Sequence, residues 1–490
     1  MKTFCEKISG WKLWDIVWDL FILLLPFTSV PFIIQIVHSD VVAAPSGVLL
    51  LPLTLFWAIP LLITGKKLSE NTAPLMLFVI AALLSTAISF LHPIPAYKGN
   101  SPVRASVSAV ITLLMAFCYF LTASLRHTDR DKLRHTFRLL SISGAVVCVW
   151  TLLQAFFWYR DQRYPEWMKQ IQFFVSAGSL YRQRFVGFTL EPSWLAHQLN
   201  MLYLPFWFAA SVTGYSAFNK RLGFITAERV LFPVGILILF LTLSRVGLAA
   251  FLITVAFFAL VMIRRFAEYL SERIAPKYRR ILIPLTIILV IVLLIGSAWG
   301  MLRVLMKYDF RMAGLFDINL KGRSDPIFYL AERISLAARF VYWDGGITIF
   351  NEHPILGVGL GHAGFYLPQA MNNYAYRLNE VRDLLNRSTT LLNIKSLWIR
   401  ILAECGIVGF CLFLLWYLRG FLSNSLGLKK KDPLLRTAAW MGCFVLLAFI
   451  LEGFSLDTFA LPYLWFSAGL ADGARQLAGT LQGSSSKPKA

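Results

Sequence analysis

Long apolar runs alternate with short charged connections along most of this 490-residue chain. An apolar run of about 18 residues or more is typical of a helix that crosses the hydrocarbon core of a bilayer. The pattern predicts an all-α, polytopic membrane protein in which residues 1–490 form a single integral membrane domain. We predict twelve transmembrane helices, near residues 13–37, 45–64, 74–92, 105–125, 139–158, 193–214, 228–243, 246–263, 281–302, 396–418, 437–453 and 457–474.

Two connections are much longer than the others, at 159–192 and at 303–395. In the larger one, apolar residues at helical spacing predict amphipathic helices at 326–350 and 368–387. Long loops tolerate residues that a bilayer does not, so we expect the chemistry of the protein to lie in these two loops.

Composition and charge set the class and the orientation of the chain. Hydrophobic residues make up 57% of it and charged residues 15%, which excludes a soluble domain. The net charge of +21 indicates positive cytoplasmic loops rather than nucleic-acid binding. Most lysines and arginines lie on the cytoplasmic side if the chain starts in the cytoplasm, so both termini are expected there. Residues 475–490 are expected to form a disordered cytoplasmic tail. The first run, at 13–37, is too long for a cleavable signal and is expected to remain as an anchor.

Arg245 lies in Leu-Thr-Leu-Ser-Arg-Val-Gly, where span 7 ends and span 8 begins with almost no loop between them. An arginine in this place is costly unless it is hydrated or paired, so it is a functional candidate. Snorkelling to lipid headgroups is the alternative. Arg184 lies in Arg-Phe-Val-Gly-Phe-Thr-Leu-Glu-Pro-Ser, before span 6, and Glu191 stands where that helix starts. Glu191 either has a role in chemistry or only complements the helix dipole.

In the larger loop, Arg339 and Trp343 are four residues apart and are expected to share a helix face. The alternative for this helix is an amphipathic segment that lies on the membrane. Asn-Glu-His-Pro-Ile-Leu-Gly-Val-Gly-Leu-Gly-His follows, with a spacing that matches neither a dinucleotide fingerprint nor a P-loop. We therefore expect a glycine-rich turn there, and no metal site at His353 or His362.

Together these segments resemble the O-antigen ligase and polymerase superfamily of bacterial inner-membrane glycosyltransferases. The resemblance also rests on Lys395-Ser-Leu-Trp-Ile-Arg-Ile-Leu-Ala-Glu-Cys-Gly at the start of span 10, so its motifs extend over roughly residues 184–410. It implies transfer of a glycan from undecaprenyl pyrophosphate to an acceptor hydroxyl at the periplasmic face, without a cofactor or a metal. By the same resemblance, Arg184, Arg245, Arg339 and Lys395 are expected to bind the pyrophosphate.

The position of Lys395 separates two activities within this superfamily. Its ligases have a histidine where this chain has Lys395, and a protonated lysine is not a general base. We therefore expect a polymerase of O-antigen or exopolysaccharide repeat units. Glu191 and then His362 are the candidate general bases, because both are predicted at the outer face.

Two other functions stay open from the sequence. One is a ligase that transfers the glycan to lipid A–core, and the other is a polysaccharide transporter or flippase. Carriers are usually built from matched halves, and no internal repeat is visible here. The expected partners are an undecaprenyl-pyrophosphate-linked oligosaccharide and the lipid bilayer, with a chain-length regulator and a flippase as further candidates and no nucleic acid.

Overall fold

The computed structural model describes residues 12–37, 39, 43–218, 223–273, 276–308 and 336–485. These residues form helices and no β-strand. The helices are α1 (Lys12–Leu24), α2 (Pro31–Val37), α3 (Pro45–Ile63), α4 (Thr72–Ser89), α5 (Pro102–Arg126), α6 (Arg130–Asp161), α7 (Glu166–Val175), α8 (192–213), α9 (Ala227–Leu241), α10 (Arg245–Arg273), α11 (Pro276–Tyr308), α12 (Ala337–Glu352), α13 (Ala363–Ala370), α14 (Asn379–Arg387), α15 (Leu397–Gly427), α16 (Pro433–Glu452) and α17 (Pro462–Ser485).

Among the described residues, eight helices are long and apolar enough to cross a membrane. They are α3, α4, α5, α6, α10, α11, α15 and α16. This confirms the prediction of an all-α, polytopic membrane protein. Four of the twelve predicted spans are not among these eight. The span at 13–37 is divided into α1 and α2, 228–243 corresponds to the 15-residue α9, 457–474 corresponds to α17 from Pro462, and 193–214 corresponds to α8.

The predicted span at 193–214 corresponds to α8, which contains a π-helical turn at Leu199–Tyr203. Pro205 follows this turn and has no N–H to donate to the carbonyl oxygen of Met201, four residues earlier. The hydroxyl of Ser467, in α17, donates to that oxygen instead, at 2.7 Å. The irregular helix therefore keeps its hydrogen bonds by packing inside the bundle.

Close contact between α17 and α5 depends on two glycines that are four residues apart. A Cβ on Gly469 would lie 2.3 Å from the carbonyl oxygen of Phe120, and one on Gly473 would lie 2.4 Å from that of Ser124. Small residues at this spacing allow two membrane helices to approach closely. The last helix is thereby fixed against the centre of the bundle.

The segment predicted as a disordered tail, 475–490, is helical as far as Ser485, because α17 continues to that residue. At its start, the buried carboxylate of Asp472 accepts hydrogen bonds from Arg475 at 3.0 Å and from Gln476 at 3.4 Å. The helix therefore corrects the prediction up to Ser485. Residues 486–490 lie outside the described part of the chain.

The larger loop forms a small second core from α12, α13 and α14, packed against the start of α15. The helix predicted at 326–350 is observed as α12, and its residues before 336 lie outside the described part. The single helix predicted at 368–387 is wrong, because α13 ends at Ala370 and α14 begins at Asn379. Asn372 breaks it by accepting a hydrogen bond from the backbone N–H of Tyr374 at 3.0 Å, which is an Asx turn.

Candidate functional site

The short connection between α16 and α17 organises the site, and residues 452–458 are called the 452–458 segment below. The backbone N–H of Leu397 donates to the carbonyl oxygens of Gly453, at 2.7 Å, and Leu456, at 2.9 Å. The hydroxyl of Ser396 donates to Gly453 at 3.2 Å and also caps α15 by accepting from Ile399. The start of α15 is thus fixed to the 452–458 segment.

Lys395 stands at this junction in the left-handed backbone conformation, with φ of 59°. Its N–H donates to Oδ2 of Asp457 at 3.1 Å, and its carbonyl oxygen accepts from Nε1 of Trp343 at 3.5 Å. The side chain is half-buried. Three elements therefore meet at Lys395: α12, α15 and the 452–458 segment.

Arg339 and Trp343 share one face of α12, which confirms the prediction from their spacing. Nη1 of Arg339 donates to the carbonyl oxygen of Ser455 at 3.0 Å and lies 3.4 Å from its hydroxyl. The ring of Trp343 lies 5.4 Å from the ring of Phe454. This face of α12 therefore packs against the 452–458 segment and not against a membrane surface.

Arg184 and Arg245 lie on the two sides of one turn. The backbone N–H of Phe185 donates to the carbonyl oxygen of Leu241, and Nε of Arg184 donates to that of Thr242, both at 3.3 Å. Arg245 is the first residue of α10, three residues after Thr242. Two arginines that are 61 positions apart in sequence (245 − 184 = 61) are thus brought to the same end of the bundle.

A buried polar network connects this turn to the 452–458 segment. Nδ2 of Asn200 donates to the carbonyl oxygen of Gly247 at 2.7 Å and to Oε1 of Glu452 at 2.8 Å. Nδ1 of His197 lies 3.5 Å from Oε2 of Glu452, and all three side chains are buried. No local sequence pattern predicts this network, although a carboxylate at the end of an apolar span is a signal for a functional or structural role.

A cleft of about 270 Å³ opens beside Lys395. Its charged residues are Arg400, Glu404 and Asp457. Nε of Arg400 lies 2.8 Å from Oε2 of Glu404, and Nη1 of Arg400 donates to the carbonyl oxygen of Asp457. These three residues were not among the predicted site residues, although an arginine and a glutamate four apart in an otherwise apolar span are a signal for a functional role.

The glycine-rich stretch is a structural turn, as the sequence analysis expected. The N–H groups of Val358 and Gly359 each donate, at 2.9 Å, to carbonyl oxygens of α15, those of Ala403 and Glu404. This part of α15 is kinked at Gly406, whose φ of 61° and ψ of −167° are open only to glycine. Amides that are bonded to α15 are not offered to a phosphate, so the stretch fixes the shape of the cleft wall.

His362 is fully buried behind that wall. Its Nε2 lies 2.6 Å from the hydroxyl of Ser106, and its Nδ1 lies 2.9 Å from the carbonyl oxygen of Val358 and 3.1 Å from the hydroxyl of Ser89. Both ring nitrogens are therefore used in fastening the glycine-rich turn to α4 and α5. Within the described residues, no three His, Cys, Asp or Glu side chains are grouped as a metal site requires.

Glu191 is exposed at the start of α8. Its backbone carbonyl accepts from the N–H of Trp194 at 3.0 Å, and its Oε2 accepts from the hydroxyl of Ser193 at 3.0 Å. Burial and then the charge of Glu191 raise the pKa of Tyr181, while Arg184 opposes the shift. Glu191 and Arg184 therefore both lie within electrostatic range of the same phenol.

Residues 230–414 match a family model described as O-antigen ligase. The matched part runs from α9 through the larger loop to the middle of α15 and contains Arg245, Arg339 and Lys395. Arg184, Glu191 and the 452–458 segment lie outside it. No curated protein matches the chain. The match confirms the resemblance that was drawn from the motifs.

Proposed function

We propose that this chain is a polysaccharide polymerase of the O-antigen ligase and polymerase superfamily. The match of residues 230–414 to the family model supports a glycosyltransferase-like enzyme of that superfamily. In this proposal it joins undecaprenyl-pyrophosphate-linked repeat units at the periplasmic face of the bacterial inner membrane, with both termini in the cytoplasm. Lys395 carries the proposal, because the ligases to which the chain is similar have a histidine in its place.

Four cationic side chains are the proposed pyrophosphate site: Arg184, Arg245, Arg339 and Lys395. The first two flank one turn. The guanidinium of Arg339 contacts Ser455, and the backbone N–H of Lys395 donates to Asp457, so both residues are held by the 452–458 segment. Hydrogen bonds to backbone oxygens position a guanidinium and leave its charge in place. Charge-assisted contacts with phosphate oxygens would stabilise the negative charge that develops on the leaving group.

The reaction that we propose is one nucleophilic displacement. The acceptor hydroxyl oxygen forms a bond with the anomeric carbon of the donor glycan, and the bond from that carbon to the phosphate oxygen breaks. The hydroxyl proton passes to a general base, and undecaprenyl pyrophosphate leaves. Glu191 is the proposed base, because its carboxylate is exposed and, like Arg184, lies within electrostatic range of Tyr181. We do not propose His362, since its buried ring is fully hydrogen-bonded.

The cleft beside Lys395 is the proposed site for a sugar of the acceptor repeat unit. Arg400, Glu404 and Asp457 present donors and acceptors along its wall, as sugar recognition requires. The cleft lies next to Lys395, so an acceptor bound there would be near the proposed pyrophosphate site.

A ligase that transfers the glycan to lipid A–core is the second candidate. The description of the matching family model, O-antigen ligase, favours it. In that reaction the donor is the same, and the acceptor is the core sugar of a different lipid. The two activities therefore differ in the acceptor and not in the pyrophosphate site.

Reconstitution of the purified protein in liposomes separates the two candidates. The liposomes contain undecaprenyl-pyrophosphate repeat units, with and without lipid A–core, and the products are resolved by size. We expect a ladder of longer lipid-linked glycans without added acceptor. A single transfer that occurs only with lipid A–core would establish the ligase and reject the polymerase.

A further inference from the structure

A basic recess lies at the opposite end of the bundle from the cleft, where α15 ends and α16 begins. Beyond its kink at Gly406, α15 continues to Gly427, and this part alone is roughly 30 Å long. The recess has a volume of about 780 Å³. Its cationic residues are Lys429, Lys430, Lys431 and Arg475.

The three lysines are available to a ligand. In the part of the chain that the structure describes, none of their ammonium groups has a carboxylate within 4.0 Å. The two carboxylates nearby are already used, since Asp432 pairs with Arg130, and Asp472 pairs with Arg475. Asp432 also lines the recess, but its carboxylate is paired with Arg130, so the recess carries more positive than negative charge.

The pKa of Lys430 reflects its burial and the positive charge around it. Burial, and then the positive charge of Arg475, lower the pKa of its ammonium group, and the negative charge of Asp432 opposes part of this shift. A bound anion would oppose the effect of Arg475, because it brings negative charge to the same place. The positive charge of the recess thus favours the binding of an anionic group.

The rim of the recess is apolar. Leu426 is 82% exposed and Leu481 is 46% exposed, and both line the recess. Leu422, one helical turn before Leu426, is 60% exposed. Exposed leucines at the end of a membrane helix suit acyl chains, whereas a free anion in water gains nothing from them.

We propose that the recess binds the headgroup of an anionic phospholipid, with its acyl chains along the leucines of the rim. Lys429, Lys430 and Lys431 contact the phosphate, and the leucines select a lipid over a soluble anion. Basic residues close to a membrane surface are attracted to anionic headgroups in this way. The site is separate from the proposed pyrophosphate site at the other end of the bundle and does not depend on it.

Lipid retention tests the proposal. The purified full-length protein is placed in nanodiscs with equal amounts of phosphatidylglycerol and phosphatidylcholine. The protein is then released from the nanodiscs, and the lipids that stay bound to it are counted by native mass spectrometry. We expect phosphatidylglycerol to be retained in preference to phosphatidylcholine. In the triple variant with Lys429→Gln, Lys430→Gln and Lys431→Gln, this preference should fall at least about tenfold.

Two further variants control for loss of charge and loss of fold. The first carries the same charge change outside the recess, at three exposed lysines of the described chain: Lys12→Gln, Lys66→Gln and Lys67→Gln. It should keep the preference within about twofold. The second replaces the recess lysines by arginine and should retain the lipid, which shows that charge and not shape is required. If the glutamine triple variant does not fold, Lys429→Gln with Lys431→Gln replaces it, because both side chains are exposed.

Four results would overturn the proposal. Equal retention of the two lipids would exclude headgroup selection. An unchanged preference in the recess variant, or a loss of preference in the control variant as large as in the recess variant, would place the binding elsewhere. Complete displacement of phosphatidylglycerol by inorganic phosphate would indicate a site for free anions.

Discussion

The backbone N–H of Lys395 donates a hydrogen bond of 3.1 Å to the carboxylate of Asp457. The two residues lie in different connections, one before α15 and one between α16 and α17. The contact holds Lys395 in a left-handed conformation, which costs about 1–2 kcal/mol for a residue with a Cβ. A costly backbone geometry is thus kept at the position that separates the two candidate activities.

Lys395→Gly removes the side-chain charge at this position and leaves a residue that can keep the same backbone conformation. Glycine adopts the left-handed conformation without strain, so we expect a melting temperature that is unchanged or higher. Transfer should fall at least about tenfold, since a hydrogen bond to a charged group is worth about 1.5–3 kcal/mol. Parallel measurement of thermal unfolding and of the transfer rate checks both. Wild-type transfer by this variant would remove Lys395 from the proposed pyrophosphate site.

Gly406→Ala should prevent stable folding around the cleft. The backbone there has φ and ψ that only glycine adopts, and a Cβ would lie 2.2 Å from the carbonyl oxygen of Ile355. We expect a loss of more than about 3 kcal/mol in the free energy of unfolding. Gly296→Ala is the matched control, because a Cβ there meets nothing within 4 Å. Equal yields and melting temperatures for the two variants would contradict the described kink.

His362→Ala should lower stability and leave the chemistry intact. Its ring bonds Ser106 and the carbonyl oxygen of Val358, so removal should cost about 2–4 kcal/mol. We expect a lower melting temperature and a normal transfer rate for each folded molecule. His353→Ala, on the exposed side of the same turn, should change neither quantity. A normal melting temperature with a transfer rate reduced 100-fold would instead make His362 catalytic.

Glu191→Gln tests the proposed general base. A general base contributes about 10²- to 10⁴-fold to a rate, so transfer should fall by that order while the protein stays folded. Its side chain makes no capping hydrogen bond to α8, and stability should therefore be unchanged. Glu166→Gln, an exposed carboxylate of the same loop, serves as the control and should transfer normally. An unaltered rate in Glu191→Gln would refute the assignment.

The sequence was sufficient for the fold class and for several local relations. Lengths of apolar runs predict the membrane helices, because the bilayer imposes the same length on each of them. The spacing of Arg339 and Trp343 predicts their shared face, since helical geometry alone determines it. These features depend on residues that are close together in the chain.

Features that depend on distant residues were not predicted. Asp457 holds Lys395 across 62 positions, and Glu452 meets Asn200 across 252. No local pattern encodes such contacts, so the cleft and the buried network were missed. The spacing of apolar residues predicts one helix at 368–387, but Asn372 interrupts it, because its side chain competes for the backbone N–H of Tyr374.

The transfer rate of Arg245→Gln in liposomes tests the proposed pyrophosphate site most directly. Arg264→Gln is the matched control, an exposed arginine farther along α10 that pairs with Glu268 at 3.3 Å. We expect Arg245→Gln to transfer glycan about 100-fold or more slowly with unchanged insertion and stability, and Arg264→Gln to transfer normally. Near-wild-type transfer by Arg245→Gln would contradict the proposed binding of pyrophosphate.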